Sequence, residues 1–343
     1  MSHKRMGNQT VVMEDPPEII TSYTVVGPME GQGPLGGTFD RVWKDSLNQE
    51  QSWEKAESKM MEDALQGALT LSGIQQDQID FQIGGDLLNQ LISTHFAARS
   101  LGFPLIGLYG ACSTMALSTA LAGMLIDGHF ARYVMVGVSS HHDTAERQYR
   151  MPTEHGNQRM MSAQWTVTGA ASLLLGRSAT GIAKINGAHP KVTAATIGRV
   201  VDLGVKDTNN MGAAMAPAVA DTILNHLQDM KRQPSDYDLI LSGDLGEVGW
   251  NLVKDILRQS KVKLGDEFAD CGRMIYGADQ DVHAGASGCG CSGVVFAGDI
   301  LQKMRLGKLR RVLFVGSGAL HSPISCFQGE SIPGIGHAVV IET

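Results

Sequence analysis

Apolar and polar positions alternate in blocks along this chain, and the blocks recur in the same order twice. Residues 18–27 (EIITSYTVVG) read as a strand, and the Gly/Pro-rich residues 28–39 as a loop. Residues 51–73 place Trp53, Ala56, Met60, Leu65, Ala68 and Leu71 near helical spacing, an amphipathic helix. Residues 79–84 (IDFQIG) predict a strand and residues 88–101 a short helix. The apolar run 105–109 predicts a buried strand; Gly110 and Ala111 then leave room for a sharp turn before Cys112. From Cys112 to Gly128 the chain is rich in Ala, Leu and Met with no polar stripe, the pattern of a helix buried all round. Residues 132–138 predict a strand, 139–164 a long polar segment, and 167–175 a closing strand. The second half gives strands at 182–189 and 192–198, a helix at 211–230, a strand at 237–242 and a helix at 249–260. A small-residue turn and helix follow at 285–303, then strands at 311–316 and 337–341.

The recurrence extends to residues. When Cys112 is placed on Cys291, Ser113 falls on Ser292, Gly128 on Gly307, Arg132 on Arg311 and Gly137 on Gly316. A second alignment puts Asp80 on Asp238, Gly85 on Gly243, Asp86 on Asp244 and Leu87 on Leu245. Gly169-Ala170-Ala171 matches Gly336-His337-Ala338. An internal duplication of one α/β unit explains these matches. Two such units packed face to face bury their central helices back to back.

Composition narrows the class. The chain has 343 residues, 43% hydrophobic and 18% charged, enough for a substantial core in two lobes. A formal net charge of −7 without a dense basic cluster argues against nucleic acid as a partner. The N-terminal MSHKRMGNQT carries cations but no apolar core of a signal peptide. No apolar run reaches the roughly 18 residues of a membrane span. The five cysteines, an odd number, do not form a disulfide framework, and the Cys289–Cys291 spacing is not that of a C-x-x-C redox or zinc motif. A reducing compartment and no metal site are expected.

Cys112 is the first candidate for chemistry. At a helix N-terminus, unpaired N–H groups and the helix dipole favour negative charge, so a thiol there tends towards a lowered pKa and nucleophilic or anion-site use. The alternative is a small buried core thiol. His141 and His142, followed by Asp143, read as polar contacts for a ligand, as a metal cluster or as a solvated loop; adjacent ligands point apart, which favours the loop over the metal.

The combination of motifs resembles the thiolase superfamily, which includes thiolases and the ketoacyl carrier-protein synthases. GACSTMALSTALAG is similar to the synthases' nucleophile turn, TVTGAASLLL to their FGDGAGA strand, and HAGASG at 283–288 to the thiolase GHPxGASG motif, one residue shorter. The resemblance implies a five-layered αβαβα fold of two pseudo-equivalent halves, 1–180 and 181–343. It also implies that an enzyme of this kind would use Cys112 and His283 in acyl transfer or condensation on a thioester. The synthases' His-x-x-Asn is missing: Gly243 and Gly246 stand at those two places.

Closer still, DPPEIITSYTVVGPMEGQGPLGGTFD, GACSTM, RMPTEHGNQR with QWTVTGAA, and DVHAGASGCGCSG are similar to the stage V sporulation protein AD family of spore-forming Firmicutes. That resemblance implies a non-enzymatic protein that binds dipicolinic acid, alone or as its calcium complex. It also implies service with the SpoVA membrane proteins, peripheral placement at the spore inner membrane, no cofactor and a homodimer. The residues expected to meet the acid are Cys112, Ser113, Ser139, His141, Arg150, Lys206 and His283. Helix N-termini, cations and an apolar slot are what a planar dicarboxylate needs.

Overall fold

The structure, a computed structural model, describes residues 4–149, 159–177 and 187–343. In chain order the principal elements of the first part are β1 (Glu18–Val26), α1 (Trp53–Ser72), β2 (Phe81–Gly85), α2 (Ile92–Leu101), β3 (Leu105–Gly107), α3 (Thr114–Asp127), β4 (Tyr133–Ser140), α4 (His142–Tyr149) and β5 (Gly169–Gly176). They continue with β6 (Lys191–Thr196), α5 (Met211–Met230), β7 (Leu239–Ser242), α6 (Gly246–Gln259), β8 (Phe268–Asp270), α7 (Cys289–Val294), α8 (Leu301–Arg305), β9 (Arg311–Ala319) and β10 (Gly334–Glu342).

The strands run β8-β7-β9-β10-β6 and then β1-β5-β4-β2-β3 across one sheet system. The two blocks follow one plan in opposite order. β2 is parallel to β3 and β4, as β7 is to β8 and β9; β5 is antiparallel to β4 and β1, as β10 is to β9 and β6. The blocks meet through a single residue pair, Lys191 with Glu18. α1 covers the outer face of β1, β5 and β4, while α5 covers β9 and β10 on the other side and α6 packs against α5. α3 and α7 lie between the sheets and touch each other, α3 against β4, β9 and β10, and α7 against β4 and β5. The order of layers is therefore helix, sheet, helix, sheet, helix.

The interior is held by apolar side chains of both central helices and both inner sheet faces, including Met115, Ile126, Val136, Leu173, Phe296 and Phe314. The rings of Phe296 and Phe314 stack at 4.5 Å between centroids, a geometry worth about 1 kcal/mol beyond the area it buries. Glycine sets how closely the central helices approach. A Cβ on Gly290 would lie 2.4 Å from the Gly169 carbonyl, and one on Gly316 would lie 2.9 Å from both Ser113 O and Ala116 Cβ.

Several expectations need correction. Residues 105–109 do not form a buried strand. β3 is an edge strand with one neighbour, so its residues are half-buried or exposed, and Tyr109 beyond it is 46% exposed. The polar segment after β4 contains a helix, α4, whose apolar positions are too few to show in the sequence pattern. β8 is absent from that pattern as well; three residues are too short for periodicity. The helix after the turn at residue 285 is interrupted by a π-helical stretch, Val295–Ile300, between α7 and α8. The strand expected at 182–189 falls largely outside the described residues. Among the described residues no helix is long and apolar enough to cross a membrane.

Candidate functional site: a cleft at the head of the central helix

Cys112 sits on a turn fixed by its neighbours' side chains. Ser113 Oγ donates to Gly110 O at 2.6 Å, Thr114 Oγ1 donates to Ala111 O at 2.6 Å, and Gly110 N donates back to Thr114 Oγ1 at 3.1 Å. Ala111 is thereby held at φ +47°, a left-handed conformation that non-glycine residues avoid and that structures retain where a side chain must be presented.

What it presents is the sulfur, to a cleft with about 520 Å³ of empty space, including the solvent at its mouth. The wall comes from both halves: Leu87, Tyr109, Ala145, Glu146 and Tyr149 from the first, Met211, Met215, Ser287, Ala319 and His321 from the second. Thr166 and Ser287 are brought side by side by a two-residue parallel ladder joining Trp165–Thr166 to Ala286–Ser287.

Behind the sulfur lies Asp244, fully buried at the end of β7. Its carboxylate accepts from Ser317 Oγ at 2.6 Å and from Gly288 N at 2.8 Å. Burial pushes the Asp244 carboxyl up to about 6, against the pull of these donors. Burial pushes the Cys112 thiol well above its usual range, and the Asp244 charge adds to the rise. The lowered thiol pKa expected at a helix N-terminus is therefore overturned. Desolvation penalises the thiolate, and a carboxylate beside it does so again. Cys112 is a protonated thiol at neutral pH.

The other expected residues are placed as follows. Ser113 is buried and spends its hydroxyl on the turn. Ser139 is buried and donates to Glu57 Oε1 at 3.1 Å. His141 is buried rather than in a solvated loop. Its Nε2 lies 2.8 Å from Ser46 O, its Nδ1 accepts from Asp143 N at 3.2 Å, and burial holds its pKa down, so the ring is neutral. His283 does not line the cleft: Nδ1 lies 2.9 Å from Met160 O and Nε2 3.3 Å from Asp281 Oδ1. The turn is one residue shorter than GHPxGASG, and Ser287 reaches the cleft instead. Lys206 is exposed and outside the lining. Arg150 lies outside the described residues.

Sequence reasoning does not single out Asp244, Ser287, Tyr109, Tyr149 or His321. One signal exists for Asp244, its match to Asp86 in the duplication. Gly243 and Gly246 have no space for the missing synthase side chains. A Cβ would lie 2.7 Å from Ser317 Oγ at the first and 2.4 Å from Ala284 O at the second.

A doubled α/β unit with a cysteine at the head of its buried central helix defines the thiolase-like class. Solved structures agree on the fold. The 3-oxoacyl-[acyl-carrier-protein] synthase III of Aquifex aeolicus superposes with a TM-score of 0.57 at 12% identity, over 95% of this chain and 100% of that one. Cerulenin-bound OleA of Xanthomonas campestris gives 0.59 at 13% identity, over 96% and 97%. By sequence, residues 7–342 match the family described as Stage V sporulation protein AD. The Bacillus subtilis (strain 168) stage V sporulation protein AD is 45% identical over 339 residues, 99% of this chain and 98% of that protein. The chain belongs to the stage V sporulation protein AD family.

Proposed function

We propose that this chain is a ligand-binding member of its family. It takes up dipicolinic acid, alone or as its calcium complex, in the cleft at Cys112 and passes it to the SpoVA membrane proteins while the spore is loaded. It does so without catalysing a reaction. The observation that carries the reading is the Cys112–Asp244 pair. A thiol kept protonated by burial and by a neighbouring carboxylate attacks a thioester poorly. Around it the cleft is lined by further neutral polar groups. Burial raises the pKa of Tyr109 and Tyr149, so both hydroxyls keep their protons. Their rings, with Leu87 and Met215, give an apolar slot suited to a flat aromatic acid. The blocked positions at Gly243 and Gly246 and the displaced His283 support the absence of catalysis.

The protein reaches the spore inner membrane through its partners in this reading. It works as a homodimer, for which the single-sided edge strand β3 offers a pairing surface; sedimentation tests that. Titration calorimetry with dipicolinate, with and without calcium, tests the ligand: saturable heat is expected, and none at millimolar ligand ends the proposal. A second reading, thioester acyl transfer at Cys112, is favoured by the left-handed Ala111 turn that aims the sulfur at the cleft. Intact mass after incubation with acyl thioesters decides it, since that reading requires an adduct on Cys112.

A further inference from the structure

Beside the Cys112 cleft lies a second hollow of about 740 Å³, counted with its open side. Residues 88–91 form one wall and 320–323 the other. Tyr109, Tyr149 and His321 line both hollows. The inner one is bounded by nearly sealed side chains such as Cys112 (8% exposed) and Met215 (0%). The outer one is bounded by exposed Asn89 and Gln90. A molecule moving from the outer to the inner hollow meets these three rings.

The two tyrosines are joined by their hydroxyls, 3.2 Å apart. Tyr149 donates its proton to Leu87 O, so its oxygen accepts from Tyr109. Tyr149 is anchored. Its ring rests against His321 at 5.3 Å, and the preceding Gln148 donates to Leu87 O and accepts from Asn89 N, each at 2.9 Å. Tyr109 follows an edge strand, is 46% exposed, and is tied to the wall through its hydroxyl. A neutral hydrogen bond of this kind contributes about 1 kcal/mol net, so swinging the Tyr109 ring outwards is cheap. The outer hollow also holds two successive non-glycine residues at positive φ, Gln90 (56°) and Leu91 (54°). Such strain collects at ligand clamps and switches.

We propose that Tyr109 and Tyr149 are the moving and fixed halves of a latch between an outer receiving site and the Cys112 chamber. A planar acid exchanges between the two when the hydroxyl pair parts. The identity of that acid rests on the function proposed above; the latch does not.

The test is alkylation of the full-length chain by iodoacetamide at one pH, followed site by site by mass spectrometry. Cys326, half-buried and outside both hollows, reports reagent and fold together. Tyr109→Ala should speed Cys112 labelling about tenfold, and Tyr109→Phe, which keeps the ring, about fivefold, the loss of one hydroxyl bond. Labelling of Cys326 should not change. A Cys112 rate within twofold of the parent in Tyr109→Ala overturns the latch. If Cys326 labelling shows that this variant has lost its fold, the same criterion on Tyr109→Phe decides. Dipicolinate should slow Cys112 labelling in the parent protein. Faster labelling in the variants without such protection keeps the latch and removes the ligand.

Discussion

The buried carboxylate of Asp244 acts on the thiol of Cys112 through its charge, and the two residues come from opposite halves of the chain. The partner of Asp244 in the duplication, Asp86, does something else with the same geometry. It accepts from Leu88 N, Thr94 N and Thr94 Oγ1, and so pins the start of α2. One copy of the unit uses its buried carboxylate on a helix, the other on the sulfur facing the cleft.

Asp244→Asn should free that sulfur. Burial still raises the thiol pKa, but the charge that adds to the rise is gone, so the pKa falls. Each unit of fall is about tenfold in thiolate at a pH below it. The alkylation rate of Cys112 measured from pH 7 to 10 should shift to lower pH in the variant. Superimposable pH profiles would show that Asp244 does not govern the thiol.

Stability should decline as pH rises through neutrality. Burial, with the charge of Asp86 added, raises Glu57 to about 8; burial raises Asp270 to about 7 and Asp244 to about 6. An acid whose folded pKa lies above its unfolded value binds more protons in the fold. Its contribution is complete below the unfolded value, near 4, and is lost as pH rises through the folded one, with a slope of about 1.4 kcal/mol per pH unit for each group. Glu57→Gln removes the largest of these dependences. Thermal melts at pH 6, 7, 8 and 9 should show the variant gaining on the parent as pH rises; parallel curves would contradict the assignment.

Gly290→Ala should be destabilising by at least about 1–3 kcal/mol, the range for overpacking a filled interior. Its new Cβ would press on the Gly169 carbonyl at 2.4 Å, between backbones that cannot yield separately. Gly37, where an added Cβ would meet nothing within 4 Å and φ is not positive, is the control. Gly37→Ala should stay within about 0.5 kcal/mol of the parent. Urea midpoints measure both.

Among residues offered for the ligand, Lys206 and His321 should separate cleanly. Lys206 is exposed and outside the cleft, whereas His321 lines both hollows. In calorimetry Lys206→Ala should leave dipicolinate affinity within twofold, and His321→Ala should weaken it about tenfold or more. Equal effects would move the site away from the cleft.

Much of the architecture is written in local pattern. α5 begins and ends where apolar spacing puts it, at Met211 and Met230, because a long amphipathic helix repeats its signal over many turns. β8 and α4 escape the pattern for the converse reason. Three strand residues, or eight helical residues with two buried, carry too few positions for a period to emerge. The cleft is half legible. Cys112 announces itself by the turn before it and the apolar helix after it, while Ser287 lies inside a motif that points to His283 instead.

The order of hydrophobic and polar residues by itself determined the repeated α/β units, the interior central helix and the sharp turn that carries a cysteine. These depend on neighbours in the chain and on a core that must be filled. Only the folded arrangement decided the protonation of that cysteine and which side chains surround it. Asp244, Tyr109, Tyr149 and His321 reach it from separate elements, and the electrostatic effect of a carboxylate on a thiol depends on distance through a dry interior, which no spacing along the sequence records.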